Sequence, residues 1–121
     1  MEMLIKTPDE KLEFFTDEQC HILEILNEQD DRSQSIARAR VAPGVSTSLH
    51  KLIGTSETYF ILSGNGLVEL NNDIIKKVAR GDVIRIPADV PQRITNIGKE
   101  DLVFLCFCVP AFDQENYVDI S

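Results

Sequence analysis

The chain has 121 residues, 43% of them hydrophobic and 26% charged, with a net charge of −8 and a pI near 4.6. This is one globular domain by size and composition, and its acidity, with no Lys/Arg-rich run, excludes a phosphate-backbone surface and so nucleic acid as a partner. The start, MEMLIKTPDEK, has no basic stretch leading into a long apolar run, and the longest apolar run, 102–109, is far short of a membrane span, so no membrane partner and a cytoplasmic location are expected.

Short apolar segments recur at close spacing between turn residues, which is an all-β signature. LEFF (12–15) is a weak first strand, and QCHILEIL (19–26) is a second, rich in branched residues. The polar stretch NEQDDRSQ (27–34) is a loop. SIARARVA (35–42) alternates: Ser35, Ala37, Ala39 and Val41 share one face, and Ile36, Arg38 and Arg40 share the other. Pro43-Gly44 breaks it. Strands follow around SLHKLI (48–53), ETYFIL (57–62), LVEL (67–70), IIKKVA (74–79) and VIRI (83–86), with SGNG, NND and RGD as turns. PADVP (87–91) cannot continue a ladder, QRITN (92–96) resumes, and LVFLCFCV (102–109) ends at Pro110. The tail AFDQENYVDIS can hold one short helical turn or pack as an arm.

LVFLCFCV is apolar on both faces and is expected to be covered on both sides. QCHILEIL is nearly as apolar and reads as an edge buried by a second subunit, so a homodimer is expected. Three cysteines, Cys20, Cys106 and Cys108, are odd in number and form no regular framework, which argues against a secreted disulfide scaffold. Cys106 and Cys108 lie two apart and share a face, as buried small hydrophobes or as thiols near a metal pocket.

Two spaced motifs then carry a resemblance. Gly44, His50, Glu57 and Gly64 match a pattern of Gly, five residues, His-x-His, three or four residues, Glu, six residues, Gly. Gly81, Pro87 and Asn96 match a second: Gly, five residues, Pro-x-Gly, two residues, His, three residues, Asn. Over about residues 35–110 the chain resembles a small single-domain cupin. The resemblance implies a double-stranded β-helix, the jelly-roll barrel. Residues 1–34 are then N-terminal strands packing on it and used in dimerisation, and 111–121 are a C-terminal tail. It implies fold better than function, because cupins include dioxygenases, isomerases, epimerases and non-enzymatic binders.

The departures bear on chemistry. Leu52 stands where the second histidine of His-x-His is expected, Gln92 where the histidine of the second motif is expected, and Asp89 where the glycine after the proline is expected. A usual cupin site has three histidines and one glutamate; here His50, Glu57 and Gln92 are the candidate ligands of one divalent ion (Fe, Mn, Ni or Zn), and a pocket without a metal is the alternative. His50 reads either as a ligand or as a pocket histidine bonded to Glu57 or Gln92. Glu57 reads as a ligand, a general base or a partner of His50. Gln92 can bind substrate, and Tyr59, on the same face as Glu57, can act in proton transfer or be a core aromatic. Arg38 and Arg40 can bind an anionic substrate or form surface or dimer-interface ion pairs. The expected function is a small-molecule pocket in a cupin barrel, weakly metal-binding through His50, Glu57 and Gln92. The alternatives are a metal-dependent isomerase or dioxygenase acting on a small polar or sugar-like substrate, and a non-catalytic metabolite-binding or structural dimer.

Overall fold

A computed structural model describes residues 3–121. The described residues hold eleven strands and two 3-10 turns, at Glu10–Leu12 and Gln114–Asn116. The strands are β1 (Phe14–Phe15), β2 (His21–Leu26), β3 (Ser35–Val41), β4 (His50–Leu52), β5 (Ser56–Ser63) and β6 (Asn65–Leu70). They continue with β7 (Ile74–Ala79), β8 (Val83–Ile86), β9 (Gln92–Asn96), β10 (Leu102–Val109) and β11 (Tyr117–Asp119). Two antiparallel sheets form, β1-β2-β3-β10-β5-β8 and β11-β4-β9-β6-β7. This is the expected all-β jelly roll. Among the described residues no helix is long and apolar enough to cross a membrane.

Period-two alternation sets which side chains enter the barrel. Leu102, Phe104, Cys106 and Cys108 of β10 point inward and are buried, while Val103, Leu105 and Phe107 point outward and are half-buried. The cover expected on both faces of this strand is therefore complete on one side only, although β3 and β5 satisfy both of its edges. The strand expected at 19–26 begins at His21, because Gln19 takes a left-handed φ of 74° in the preceding turn. β2 is also not the sheet edge over its first residues, where β1 pairs with His21 and Ile22.

Size sorts the inward residues along the barrel. Val41, Ile61, Ile86, Ile94, Leu102 and Phe104 are fully buried and make the solid core. Ser35, Ala37, Ala39, Cys106 and Cys108 also face inward, but they are small. They leave a cavity of about 760 Å³ instead of filling the space.

The motif glycines are backbone devices. Gly44, Gly64 and Gly81 have φ of 79°, 91° and 89°, the left-handed region that an L side chain disfavours. At Gly64 a Cβ would also lie 2.7 Å from the Asp101 carbonyl oxygen and 2.9 Å from the Leu102 Cα. Both obstacles are backbone and cannot step aside. Gly64→Ala is expected to destabilise the fold by about 3 kcal/mol, read as a lowered urea midpoint with unchanged slope. An unchanged midpoint would show that the β5–β6 turn can relax. Asp89, at the position where the motif has glycine, keeps the left-handed conformation with φ 69°. Its amide donates to the Leu52 carbonyl at 2.9 Å, and its Oδ1 accepts from the Gly54 amide at 3.0 Å. Asp tolerates this region better than most residues and here adds a bond that glycine lacks.

Candidate functional site: an acid-lined cavity in the barrel

The cavity is walled by residues of β3, β4, β5 and β10 together with β2 and the chain segment before it. His50 enters it from β4, with Gln92 directly across the β4–β9 ladder. Its Nδ1 lies 2.7 Å from the Ser48 carbonyl. A carbonyl only accepts, so Nδ1 carries the hydrogen, which leaves Nε2 as the ring nitrogen free to meet a ligand. The expected bond from His50 to Glu57 or Gln92 is thus replaced by one to backbone. The ring also stacks on Tyr117 of β11, with centroids 4.7 Å apart.

Glu57 opens the inward face of β5 and is 8% exposed. Its Oε2 accepts from the Cys108 thiol at 3.5 Å, and its Oε1 is buried with no hydrogen-bond partner among the described residues. Burial raises its carboxyl from 4.5 to about 7, and the Glu18 charge adds to the rise; Cys108, Gln92 and Tyr59 act in the opposite direction without cancelling it. Glu57 therefore sits between neutral and charged at neutral pH.

Tyr59, two residues on, donates its hydroxyl hydrogen to Gln92 Oε1 at 2.5 Å. It packs on Phe104, with ring centroids 4.6 Å apart, and burial raises its phenol well above the usual range. Tyr59 lines the cavity; Gln92 stands behind it, with its amide oxygen engaged. The three thiols, all free, also line the cavity. Burial pushes each of them up, so they are protonated and unreactive near neutral pH.

Two residues of this site escaped sequence reasoning. Glu18 comes from the segment before β2, with its Oε2 3.7 Å from His50 Nδ1 and its Oε1 accepting from Cys20 at 3.3 Å. Tyr117 comes from the tail, which pairs with β4 in the register Tyr117↔Leu52 and Asp119↔His50. Neither lies in a motif, and no local pattern in the sequence marks either of them.

These observations meet the comparisons with known proteins. Residues 37–108 match the cupin domain family. This chain belongs to the cupin family. An uncharacterized protein of Methanocaldococcus jannaschii is 38% identical over 116 residues, covering 93% of this chain and 92% of that protein. The oxalate-binding protein of Thermotoga maritima is 32% identical over 92 residues, covering 76% of this cupin and 74% of that protein. Among solved structures, the Streptomyces nucleoside dehydratase Pac13, in a variant solved with uridine, superposes with a TM-score of 0.80 at 18% identity, covering 98% of this chain and 92% of that one. That last likeness is one of fold.

Cupins often bind a metal, and the donor set of this cupin fits one poorly. Leu52 is buried beside His50 and contributes an inert isobutyl group. The Gln92 oxygen is already taken by Tyr59. No group of three His, Cys, Asp or Glu side chains converges to hold an ion among the described residues. His50 and Glu57 alone give one imidazole and one half-protonated carboxylate, where a catalytic zinc site has three protein ligands.

Arg38 and Arg40 do not line the cavity of this cupin. They lie on the outward face of β3, where Arg38 grips Glu10 with two bonds of 2.7 Å and Arg40 reaches Glu13 at 2.6 Å and Asp101 at 3.2 Å. The substrate-binding expectation for them gives way to its ion-pair alternative. The pairs tie down residues 10–13, which lead into the segment carrying Glu18. The Arg40 guanidinium holds the Glu13 carboxyl down at about 2. Because this value is depressed from 4.5, the stability Glu13 contributes is present above 4.5 and is lost as pH falls toward 2. Arg40→Ala is expected to lower the urea midpoint at pH 7. Urea unfolding should show that this difference shrinks as pH falls through that window; a difference independent of pH would locate the loss elsewhere.

Proposed function

We propose that this cupin takes an uncharged or cationic small polar molecule into its barrel and acts on it with side-chain acid–base groups rather than through a transition metal. The observation that carries the reading is the make-up of the cavity wall. Its described lining includes a buried carboxyl with a partnerless oxygen and a histidine with its Nε2 free to meet a ligand, and it contains no lysine or arginine. An anion entering would meet uncompensated negative charge, which is costly in a low-dielectric site. In this reading Glu57 gives or takes a proton near neutral pH, His50 Nε2 is the second proton acceptor, and Tyr59–Gln92 stiffens the wall between them. The volume suits a small organic ligand. The Streptomyces neighbour solved with uridine offers a neutral, polar probe of the right size.

The oxalate-binding relative favours a second reading, in which a dianion is held through a divalent ion on His50 and Glu57. Metal analysis of untagged protein, followed by a thermal-shift screen of the metal-free form, separates the two. Nucleosides and neutral sugars are expected to raise Tm, with the shift lost in Glu57→Gln and His50→Ala, while oxalate and sugar phosphates do nothing. Stoichiometric metal that disappears in His50→Ala, with oxalate binding only in its presence, would overturn the metal-independent reading.

A further inference from the structure

We propose that the cavity recognises a protonated amine, held between the carboxylates of Glu57 and Glu18, and that Glu18 is the residue that selects it. The inference rests on the small-molecule pocket proposed above and names its substrate class. Three observations converge. The Glu57 side chain is more than nine-tenths buried, and its Oε1, on the cavity wall, makes no well-aligned hydrogen bond among the described residues, although Gln92 and Tyr59 lie near the carboxyl. Leaving such a group unpaired is unfavourable, so a ligand donor is the natural partner. Glu18 lines the same cavity, near enough for its charge to be felt at Glu57, Tyr59 and all three thiols. Among the described residues its oxygens meet Cys20 at 3.3 Å and the His50 ring at 3.7 Å, and no lysine or arginine lies within ion-pair distance of it.

The remaining charged groups on the wall, Asp17, Glu24, Glu28 and Asp119, are also acids. Two carboxylates lining one cavity repel one another, and a cation bound between them removes that repulsion. An ammonium group supplies the charge together with three directional donors. A divalent metal ion suits the place less well, since no three ligating side chains converge among the described residues. Phe15, Phe112 and Tyr117 also line the cavity and offer aromatic surface to pack the hydrocarbon body of an amine.

The test uses metal-free protein and matched probes: benzylamine against benzyl alcohol, and putrescine against 1,4-butanediol, by calorimetric titration and thermal shift. The amine of each pair is expected to bind at least ~10-fold more tightly than its alcohol, a difference of about 1.4 kcal/mol. Glu18→Gln is expected to abolish the preference while keeping Tm within a few degrees of wild type, and Glu18→Asp to restore part of it. Equal binding of amine and alcohol, or an amine preference untouched by Glu18→Gln, overturns the proposal and leaves the pocket reading standing. Binding of neutral nucleosides or sugars without any amine binding has the same meaning. If amines, alcohols and nucleosides all fail to bind, the pocket reading falls with it.

Discussion

Leu52→His combined with Gln92→His is expected to turn the cavity into a tight divalent-metal site. His50 and Leu52 leave β4 on the same inward face, and Gln92 is the cross-strand partner of His50, so the two new imidazoles would arrive beside an existing one. His50 already has the orientation that a ligand needs, with Nδ1–H on a backbone carbonyl and Nε2 free. Glu57, with its partnerless oxygen, would complete the set and ionise on binding. Since outer-shell partners alone are worth 10- to 100-fold in metal affinity, two added ligands should tighten Zn²⁺ or Ni²⁺ binding by on the order of 100-fold or more. Competition with a chromophoric chelator measures the affinity. A saturating metal at about 100 times its Kd should also raise stability by about 2.7 kcal/mol. A double variant that binds no better than the wild type would show that Leu52 and Gln92 are not what withholds the site.

Glu57→Gln is expected to stabilise the protein at pH 8 while removing its chemistry. The folded-state value of Glu57 is raised from 4.5 to about 7, so the folded chain holds this proton more tightly than the unfolded one between those limits. Stability is therefore full below pH 4.5, declines as pH rises through the window, and above it stays lower by about 3 kcal/mol. Glutamine carries no charge at any pH and should remove the decline. Urea unfolding at pH 4, 6 and 8 checks this: the variant should match the wild type at pH 4 and exceed it by about 3 kcal/mol at pH 8. Any ligand response found for the wild type should be lost in the same variant. Parallel pH profiles for the two proteins would mean that Glu57 is solvated or compensated in solution. A buried carboxyl that costs stability and is nevertheless present fits a group kept for the ligand.

The barrel was legible in the sequence because its determinants are local. Alternation along SIARARV and LVFLCFCV assigns inward and outward faces without knowledge of partners, since side-chain direction in a strand has period two. The motif glycines mark places where φ is positive, a property of three consecutive residues and not of the fold around them. By the same rule His50 and Leu52 share a face, as do Glu57 and Tyr59, and the loss of two expected imidazoles could be read off directly.

Contacts between distant segments were not legible. Glu18 reaches His50 because the segment before β2 is tied to the approach to β4, where the Ser48 amide donates to the Glu18 carbonyl at 3.1 Å, and Tyr117 reaches it because the tail adds a strand beside β4. Arg38 and Arg40 alternate in a way that predicts their face but not their partners, and Glu10, Glu13 and Asp101 are supplied from far along the chain. The bond from His50 to Ser48 spans two residues, yet it needed the actual ring orientation to be chosen over Glu57 or Gln92. The sequence by itself determined the jelly roll and the inward set of His50, Leu52, Glu57 and Tyr59. Only the tertiary structure decided that this set faces an acid-lined cavity that Glu18 also lines, because the charge in a cavity depends on which remote segments wall it.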